Sequence, residues 1–298
     1  KHLRVVVGSG REQVEAHLAQ IAPAVTTVFQ EHRGGTGHAT QLALAGITPS
    51  GTVLVLAGDT PMLSSQSLAA LLDVHHKGGF AASVMTAEHP DPTGYGRIIR
   101  ADDGSLLRIV EEKDATEEEK EIDEINTGVY LFDLAVLREE IKNLKNDNAQ
   151  KELYLTDVIS LINSSGKKSH AILSNDYSET LGINDRTQLA QCAAIMRDRI
   201  NSEHMLNGVT ILDPTTTWID HGVKIEADVV VYPGSSITGE SDIKSEAVIG
   251  PRTTLDSCVV EEGAKVVESN CTESVIGKGA KVGPFTYLRK GSVLKDES

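Results

Sequence analysis

A single carboxylate, Asp59, follows an apolar run in the stretch "VLVLAGDTPML", residues 53–63. The run Val53–Leu56 predicts a buried strand, and ligands bind at the carboxyl ends of strands in open parallel sheets. Gly58 carries no side chain, so a ligand could approach the backbone closely there. Asp59 could equally cap a β-turn in which Pro61 fixes φ. The stretch alone therefore leaves a metal site and a structural turn open.

A glycine-rich loop, "FQEHRGGTGHATQ" at residues 29–41, precedes a helical pattern. Backbone N–H groups in such a loop, and at the N-terminus of the following helix, suit a phosphate or a base edge. An ordinary surface loop is the alternative. His38 alone is more often a packed histidine than a catalytic one.

Three further stretches place polar residues at strand ends: "DPTGYGRII" (91–99), "RIVEEKDAT" (108–116) and "EINTGVYLF" (124–132). The last puts Asn126 at the start of an apolar strand. The charge run "EEKDATEEEKEIDE" is typical of a solvated surface, and we interpret most of it in that way.

Composition excludes some classes of protein. The net charge is −15, which argues against a nucleic-acid partner, because phosphate backbones attract clustered Lys and Arg. An anionic small substrate stays possible if a divalent cation screens its charge. The odd, sparse set of cysteines predicts a reducing, cytoplasmic compartment. No apolar run approaches a membrane span, and no signal-peptide pattern is present, so we expect no membrane partner.

Residues 1–184 alternate strand and helix patterns, which predicts an α/β domain with a mostly parallel sheet covered on both faces. Residues 185–205 predict a separate linker helix. Its apolar stripe has the spacing of one amphipathic face and consists of Leu189, Cys192, Ala193, Met196 and Ile200.

Residues 206–298 carry a six-residue repeat. At one position of the repeat, which we call the aliphatic column, the residue is aliphatic, as in Ile225, Val231 and Ile237. Two positions earlier lies the small column, where the residue is nearly always small. Three such repeats make one triangular coil of a parallel β-helix, with the aliphatic residue inside and the small residue at the corner. The repeat is interrupted near residues 256–275, which predicts an irregular coil or a phase shift. Flat prism faces of this kind predict a homotrimer.

The strings "GGTGHA", "GDTPML", "DPTGYGRI", "IVEEKDA", "EINTGVY", "NAQKELYLTD" and "LGINDR" occur in one order along the chain. Together they resemble the uridyltransferase domain of the bifunctional N-acetylglucosamine-1-phosphate uridyltransferase/glucosamine-1-phosphate acetyltransferase family. The resemblance covers essentially the whole chain. It implies a Rossmann-like nucleotidyltransferase domain, a helical arm and a left-handed β-helix.

The resemblance also implies an activity and its ligands. UTP and N-acetylglucosamine-1-phosphate would give UDP-N-acetylglucosamine and pyrophosphate with Mg²⁺, supplying cell-envelope synthesis. The parent protein would also acetylate glucosamine-1-phosphate with acetyl-CoA. The implied residues are Gln30, Gly35, Thr36 and Gly58 for UTP; Gly96, Glu111, Asn126, Tyr154 and Thr156 for the sugar; Asp59 and Asn184 as the catalytic, metal-holding pair; and Arg289 for the acetyltransferase site.

Three departures from the family pattern affect the expected activity. The family's opening "LAAGxGTRM"-type loop and a later lysine, which bind the triphosphate, are not in this sequence, and neither are the later coils of the acetyl-CoA site. Lys290 stands where a proline is usual. We therefore expect a fragment that by itself has little uridyltransferase and no acetyltransferase activity, measured as pyrophosphate release.

Alternatives remain at this point. Another sugar-1-phosphate nucleotidyltransferase with a β-helix is the nearest, and competition between sugar phosphates would separate it. A pure hexapeptide-repeat acyltransferase would not need residues 1–184. A non-catalytic trimeric β-helix module would gain support if Asp59→Ala left UTP-dependent turnover intact.

Overall fold

A computed structural model describes residues 2–48 and 50–298, and the chain divides into the units Lys1–Ile183 and Asn184–Ser298. Each unit has a hydrophobic core of its own. The second unit begins with the helix that follows Asn184. The three-part division predicted from the sequence, with a separate linker, stays a prediction.

Strands and helices alternate along the first part of this unit, as the sequence predicts, but three strands follow one another directly between residues 82 and 110. Its strands are β1 (Arg4–Val7), β2 (Thr26–Phe29), β3 (Thr52–Val55), β4 (Ala82–Glu88), β5 (Arg97–Arg100), β6 (Leu106–Val110), β7 (Glu124–Asp133) and β8 (Ser169–Leu173). Its helices are α1 (Arg11–Ile21), α2 (Thr36–Ala43), α3 (Ser65–Gly78), α4 (Glu117–Lys120), α5 (Leu134–Glu140) and α6 (Asp157–Ser164). Short 3-10 turns follow at Ile141–Asn143 and Tyr177–Thr180.

The main sheet of this unit has the order β6-β5-β7-β4-β8, and β3 also pairs with β7. β7 pairs antiparallel with β3, β4 and β5, whereas β4 and β8 are parallel. The predicted fold class is confirmed, but the sheet is mixed. The reason is that the antiparallel β5–β6 hairpin returns the chain to the middle of the sheet as β7. β1 and β2 form a separate parallel pair.

Helices cover both faces of the mixed sheet. Phe132 packs in one core with Leu137 of α5 and Ile159 of α6. Leu131, its neighbour on β7, packs in another core with Leu71 of α3. This alternation is what a strand buried on both faces requires, because successive side chains point to opposite sides.

Strand β3 is more exposed than its sequence predicts. Leu54 is 41% exposed and Leu56, just after the strand, is 44% exposed. Among the described residues β3 pairs with β7 alone, so it is an edge strand. The expectation of a buried strand at Val53–Leu56 is therefore wrong for these two side chains.

Helix α3 shows how local sequence sets its ends. The Ser67 N–H donates to the Ser64 hydroxyl at 3.1 Å, as a serine N-cap should. Gly79, at φ +61°, ends the helix in the left-handed conformation. Inside the unit, His75 Nδ1 lies 2.9 Å from the Ser83 hydroxyl, and both residues are buried.

The second unit starts with α7 (Arg186–Leu206) and continues as short strands that stack in three parallel five-stranded sheets. The strands are β9 (Thr210–Ile211), β10 (Trp218–Ile219), β11 (Lys224–Ile225), β12 (Val230–Val231), β13 (Ser236–Thr238), β14 (Asp242–Ile243), β15 (Val248–Ile249), β16 (Thr254–Asp256), β17 (Val259–Val260), β18 (Lys265–Val266), β19 (Asn270–Thr272), β20 (Val275–Ile276), β21 (Lys281–Val282), β22 (Tyr287–Leu288) and β23 (Val293–Leu294). This is the parallel β-helix that the repeat predicts, and the resemblance to the family implies its left hand.

The aliphatic column lies inside the β-helix. Ile219 pairs with Ile237 one coil later, and Ile237 and Ile243 are fully buried. The small column is buried beside it at the corners, as Ser235 and Ala247 show. A single core joins these residues through the stack.

The interruption near residues 256–275 is a phase shift within an otherwise continuous stack. A regular coil has eighteen residues, so each strand residue should pair with the residue eighteen positions later. Leu255 instead pairs with Cys271, and Cys271 pairs with Leu288, both of which come earlier than that. Successive inward residues are normally six positions apart. Val260, Cys271 and Ile276 each follow the preceding inward residue by five positions instead. Cys258 takes the corner position and is fully buried.

The amphipathic stripe of α7 is confirmed in part. Cys192 and Ile200 are buried, and Met196 packs against the β-helix core. Leu189 is 53% exposed, so its predicted place in the stripe is wrong. The helix packs on β9 and β10, and the packed residues Met196 and Ile200 lie in its C-terminal half, past Leu189. Among the described residues, no helix combines the length and the apolar character needed to cross a bilayer.

Candidate functional site

The ends of β3, β5 and β6 lie around the middle of β7. Val55, at the end of β3, lies opposite Tyr130. Arg97, at the start of β5, lies opposite Ile125 and also opposite Val110, at the end of β6. The loops that follow β3 and β6 and precede β5 therefore converge on residues 125–130.

A β-bulge shapes β7 at this point. Residues 127–129 together oppose Met85 of β4, where the register shifts. Gly128 has φ +77°, and its N–H donates to Asn126 Oδ1 at 3.2 Å. The Thr127 hydroxyl donates to the Met85 carbonyl at 2.7 Å. Bulges re-aim side chains next to functional sites, and this one fixes the amide of Asn126.

Asn126 is fixed by two further hydrogen bonds. Its backbone N–H donates to the Gly96 carbonyl at 2.8 Å, and its Nδ2 donates to the Tyr130 hydroxyl at 2.7 Å. A Cβ on Gly96 would lie 3.3 Å from Ile109 and 3.4 Å from the Asn126 Cβ, so the glycine allows close packing here. Burial, with a smaller effect of the Glu111 charge, raises the pKa of Tyr130. Tyr130 therefore stays a neutral partner of the amide.

Glu111 follows β6 and faces the segment before α6. The Thr156 hydroxyl, almost fully buried, donates to Glu111 Oε1 at 3.0 Å. Burial raises the pKa of Glu111 and outweighs this hydrogen bond, with Asp157 and Asp114 adding repulsion. Burial likewise raises the pKa of Asp157, and Asp114 and Asp147 add to it. We call Glu111, Asp114, Asp147 and Asp157 the acidic cluster.

Tyr154 lies within reach of this cluster and is only 6% exposed. Burial, followed by the charges of Asp114 and Glu111, raises the pKa of Tyr154 to about 12. The phenol is therefore protonated at neutral pH and can act as a hydrogen-bond donor.

The glycine-rich loop and the segment before α6 are joined by three hydrogen bonds, and we call this contact the clamp. The Leu153 N–H donates to the Gly34 carbonyl at 2.8 Å, and the Gly37 N–H donates to the Leu153 carbonyl at 2.8 Å. The Leu155 N–H donates to the Thr36 hydroxyl at 3.0 Å. The clamp places the predicted UTP loop beside the predicted sugar residues.

Gly35 lies at the tightest point of the clamp. It has φ +92°, and a Cβ there would lie 2.5 Å from the Leu153 carbonyl oxygen. Its own carbonyl accepts from Gln30 Nε2 at 3.2 Å, and that nitrogen lies 3.1 Å from His38 Nδ1. His38 thus contacts the amide of Gln30, in agreement with a packed rather than catalytic histidine.

Asp59 lies in a turn next to the bulge. The Thr60 hydroxyl donates to the Ala57 carbonyl at 3.2 Å, and the Ile183 N–H donates to the Asp59 carbonyl at 2.8 Å. A Cβ on Gly128 would lie 3.6 Å from the Ala57 Cβ, which places this turn beside β7. The turn is thus held by backbone groups and Thr60, without the Asp59 carboxylate.

The Asp59 side chain fits the requirements of a magnesium ligand. It is exposed, and within the described chain its carboxylate makes neither a hydrogen bond nor an ion pair. A Cβ on Gly58 would meet no atom within 4 Å, so space lies open beside it. Mg²⁺ takes one or two protein carboxylates and keeps its other positions for water and phosphates.

Two predicted residues belong to the second unit. Asn184 is exposed, and its N–H donates to Gln188 Oε1 at 2.6 Å. Arg289, just after β22, is exposed, and its carbonyl accepts from the Ser292 N–H at 3.0 Å. The pairing of Asp59 with Asn184 and the acetyltransferase role of Arg289 stay predictions.

Comparisons with known proteins identify the family of the chain. A family model described as nucleotidyl transferase matches residues 2–224. The chain belongs to the nucleotidyl transferase family. It is also similar to proteins named "Bifunctional protein GlmU" from Corynebacterium glutamicum strain R, at 44% identity over 302 residues, and from Corynebacterium jeikeium, at 46% over 297 residues.

A third relative of that name, from Mycolicibacterium smegmatis, is 44% identical over 300 residues. These alignments cover 100%, 98% and 99% of the chain, but 62%, 61% and 62% of the relatives. The chain thus spans about three fifths of the length of the curated relatives that it matches. The resemblance stated from the sequence motifs is confirmed.

Some residues of this candidate site were missed by the sequence interpretation. Tyr130 was hidden in an apolar strand, and Asp114 lay in the charge run that we interpreted as solvated surface. That interpretation holds for Asp114, which is exposed, but not for Glu112, whose carboxylate lies 2.8 Å from the guanidinium of the buried Arg97. A buried arginine needs such a partner, but the sequence does not show that Arg97 is buried.

Proposed function

We propose that the protein carrying this chain transfers a uridylyl group from UTP to N-acetylglucosamine-1-phosphate, giving UDP-N-acetylglucosamine and pyrophosphate. One observation carries the proposal. The clamp and the hydrogen bond from Thr156 to Glu111 join the candidate UTP loop to the sugar segment, and the pairing of Arg97 with Val110 brings Gly96 and its partner Asn126 close to Glu111.

The arrangement suits a reaction that depends on positioning. The sugar-1-phosphate oxygen would attack the α-phosphorus of UTP, and pyrophosphate would leave. Such transfer needs alignment of the two substrates and neutralisation of charge more than a covalent nucleophile. Gln30, Gly35 and Thr36 would hold the uracil and ribose, while Glu111 and Asn126 would hold the sugar.

Magnesium would be held by Asp59 and Asn184. When bound, the ion would screen the negative charges of the phosphates. The unengaged Asp59 carboxylate supports its part in holding the ion, and the part of Asn184 rests on the family resemblance.

A covalent mechanism has no support among the described residues. The His75–Ser83 pair, which resembles a base and a nucleophile, is 3% and 0% exposed and cannot reach a substrate. The three cysteines are buried as well. Direct transfer is therefore the mechanism that this site supports.

The β-helix supports a second activity and an assembly in the parent protein. We assign to it acetyl transfer from acetyl-CoA to glucosamine-1-phosphate, with Arg289 in that site, and assembly as a cytoplasmic homotrimer. Large apolar side chains on the outside of the β-helix favour assembly; Trp218 is 44% exposed and Tyr287 is 61% exposed.

Asp59→Asn in the protein that carries this chain tests the main proposal. Pyrophosphate release with UTP, Mg²⁺ and N-acetylglucosamine-1-phosphate should fall by about 100-fold or more, because a lost metal ligand removes several kcal/mol of charge stabilisation. Asp73→Asn is the control, since Asp73 forms only an exposed ion pair with Lys77. Normal turnover by Asp59→Asn would refute the metal-holding role of Asp59, whereas no turnover by the wild-type protein would support the non-catalytic module. Glucose-1-phosphate as a competitor separates the other sugar nucleotidyltransferases.

A further inference from the structure

The side-chain amide of Gln30, the residue that follows β2, is held in one orientation. The Gln30 backbone N–H donates to the Val7 carbonyl at 2.9 Å, so the main chain here continues the pairing of β1 with β2. The side-chain Nε2 lies 3.2 Å from the Gly35 carbonyl oxygen. A carbonyl oxygen can only accept a hydrogen bond, so the atom that faces it must be the amide nitrogen. This contact decides which way the amide is turned.

The ring of His38 occupies the second hydrogen of the same nitrogen. His38 Nδ1 lies 3.1 Å from Gln30 Nε2. An amide nitrogen can only donate, so Nδ1 must accept, and it does so in the neutral ring that carries its proton on Nε2. Both hydrogens of the Gln30 amide are therefore used within the protein. Its oxygen, Oε1, accepts no hydrogen bond from any residue that the structure describes.

Gly34 makes room for the ring of His38. A Cβ on Gly34 would lie 2.6 Å from His38 Nδ1 and 2.9 Å from the ring Cγ. The ring therefore packs directly on the backbone of the loop. His38 lies in the first turn of α2, which the clamp fixes through the N–H of Gly37. The imidazole is thus held in place from both sides, and it holds the Gln30 amide in turn.

An amide that presents only its oxygen is an acceptor, and this limits which base it can bind. The Watson–Crick edge of uracil carries N3–H, a donor, between two carbonyl oxygens. Cytosine carries N3 as an acceptor, next to its N4 amino group. Oε1 of Gln30 suits uracil N3–H but would face the lone pair of cytosine N3. Turned the other way, the same amide would donate to cytosine N3. Its orientation therefore separates the two pyrimidines.

We propose that His38 is a positioning residue for base selection. By accepting from Gln30 Nε2, it keeps Oε1 directed towards the nucleotide, so that the site takes a uracil base and rejects a cytosine base. This inference rests on the proposed uridylyl transfer, in which Gln30 contacts the base, and it adds His38 as a determinant of nucleotide choice.

The base preference of two His38 variants tests the proposal in the protein that carries this chain. Pyrophosphate release with Mg²⁺ and N-acetylglucosamine-1-phosphate gives kcat/KM for UTP and for CTP. The wild type should prefer UTP. His38→Leu has no acceptor, so its UTP:CTP ratio of kcat/KM should fall about tenfold, the value of one hydrogen bond, because the contact with Gly35 remains. His38→Asn should keep the wild-type ratio, since Asn Oδ1 accepts at the place of Nδ1.

Gly34→Ala disturbs the same ring without changing His38. The new Cβ would collide with Nδ1, so the UTP:CTP ratio should fall in this variant as well, and it answers the question even if His38→Leu does not fold. His17→Leu is the matched control, because His17 is an exposed histidine on α1. Its ratio should equal that of the wild type.

Four results would overturn the inference. They are a wild type that uses CTP as well as UTP, an unchanged ratio in His38→Leu or Gly34→Ala, an equal fall of the ratio in His38→Leu and His38→Asn, and equal losses with both nucleotides, which would indicate a merely structural role. A wild-type protein that releases no pyrophosphate with either nucleotide would refute the proposed function itself, so the two failures are distinguishable.

Discussion

Gly35→Ala should damage the clamp more than any ordinary glycine substitution. Gly35 has φ +92° and ψ 178°, a combination that is essentially restricted to glycine and costs about 1–3 kcal/mol for other residues. The new Cβ would also lie 2.5 Å from the Leu153 carbonyl oxygen and 2.9 Å from the Glu152 Cβ. Because both contacts are with the partner segment, relief of the clash requires the clamp to open.

The overpacking adds about 1–3 kcal/mol to the backbone strain, so we expect a total loss of roughly 2–6 kcal/mol in the free energy of unfolding. An opened clamp separates the UTP loop from the sugar segment. KM should therefore rise for both substrates, and kcat/KM should fall by about 100-fold, since misplacement of reactants by about 1 Å has that effect. Urea unfolding and steady-state kinetics measure the two losses.

Gly104→Ala separates backbone strain from the clash. Gly104 lies in the β5–β6 hairpin with φ +81°, and a Cβ there would meet no atom within 4 Å. This variant should lose about 1–2 kcal/mol and keep its activity. If Gly35→Ala loses no more stability than Gly104→Ala and keeps wild-type kinetics, the clamp does not position the substrates.

Two further predictions concern stability. His75 is buried, and burial lowers its pKa below 6.5, so the unfolded chain binds a proton more readily. The free energy of unfolding should fall as the pH drops below about 6.5, by at most about 1.4 kcal/mol per pH unit for this group. Urea unfolding of His75→Gln at several pH values should show a weaker pH dependence than the wild type. An equal pH dependence in the two proteins would contradict the role of His75. In the β-helix, Ile243→Ala should lower the free energy of unfolding by about 2–5 kcal/mol, because Ile243 is fully buried. Val293→Ala should lower it far less, because Val293 is 69% exposed. Equal losses of stability in thermal unfolding would contradict the inward position of the aliphatic column.

The β-helix was the easier half to predict. Its repeat places one aliphatic residue inside for every six residues, and this periodicity can be counted in the sequence without any long-range information. The phase shift could be located but not resolved. The five-residue steps become evident only when the pairing of Leu255 with Cys271 shows which residue takes the inward position.

The first unit shows where such prediction ends. Helix α3 could be bounded from Ser64 and Gly79, because capping is local. The insertion of β7 between β3 and β4 could not, since antiparallel pairing depends on partners distant in sequence. For the same reason, the exposure of Leu54 on an edge strand was missed.

The sequence motifs of the candidate site could be recognised, but the arrangement of their residues in space could not be predicted. Asn126 could be named from the resemblance, whereas its hydrogen bond to Tyr130 depends on the bulge. Asp114 looked like one of many surface charges. Only burial of its neighbours separates it from the rest of the charge run.

The clamp also has a consequence for the order of folding events. The hydrogen bond from Leu155 to Thr36 joins residues 119 positions apart. Contacts of such long range form slowly, because the entropy of closing the intervening loop must be overcome before they contribute any stability. During refolding, recovery of substrate binding should therefore lag behind recovery of helical circular dichroism. Newly made chains would acquire their secondary structure before they acquire a site.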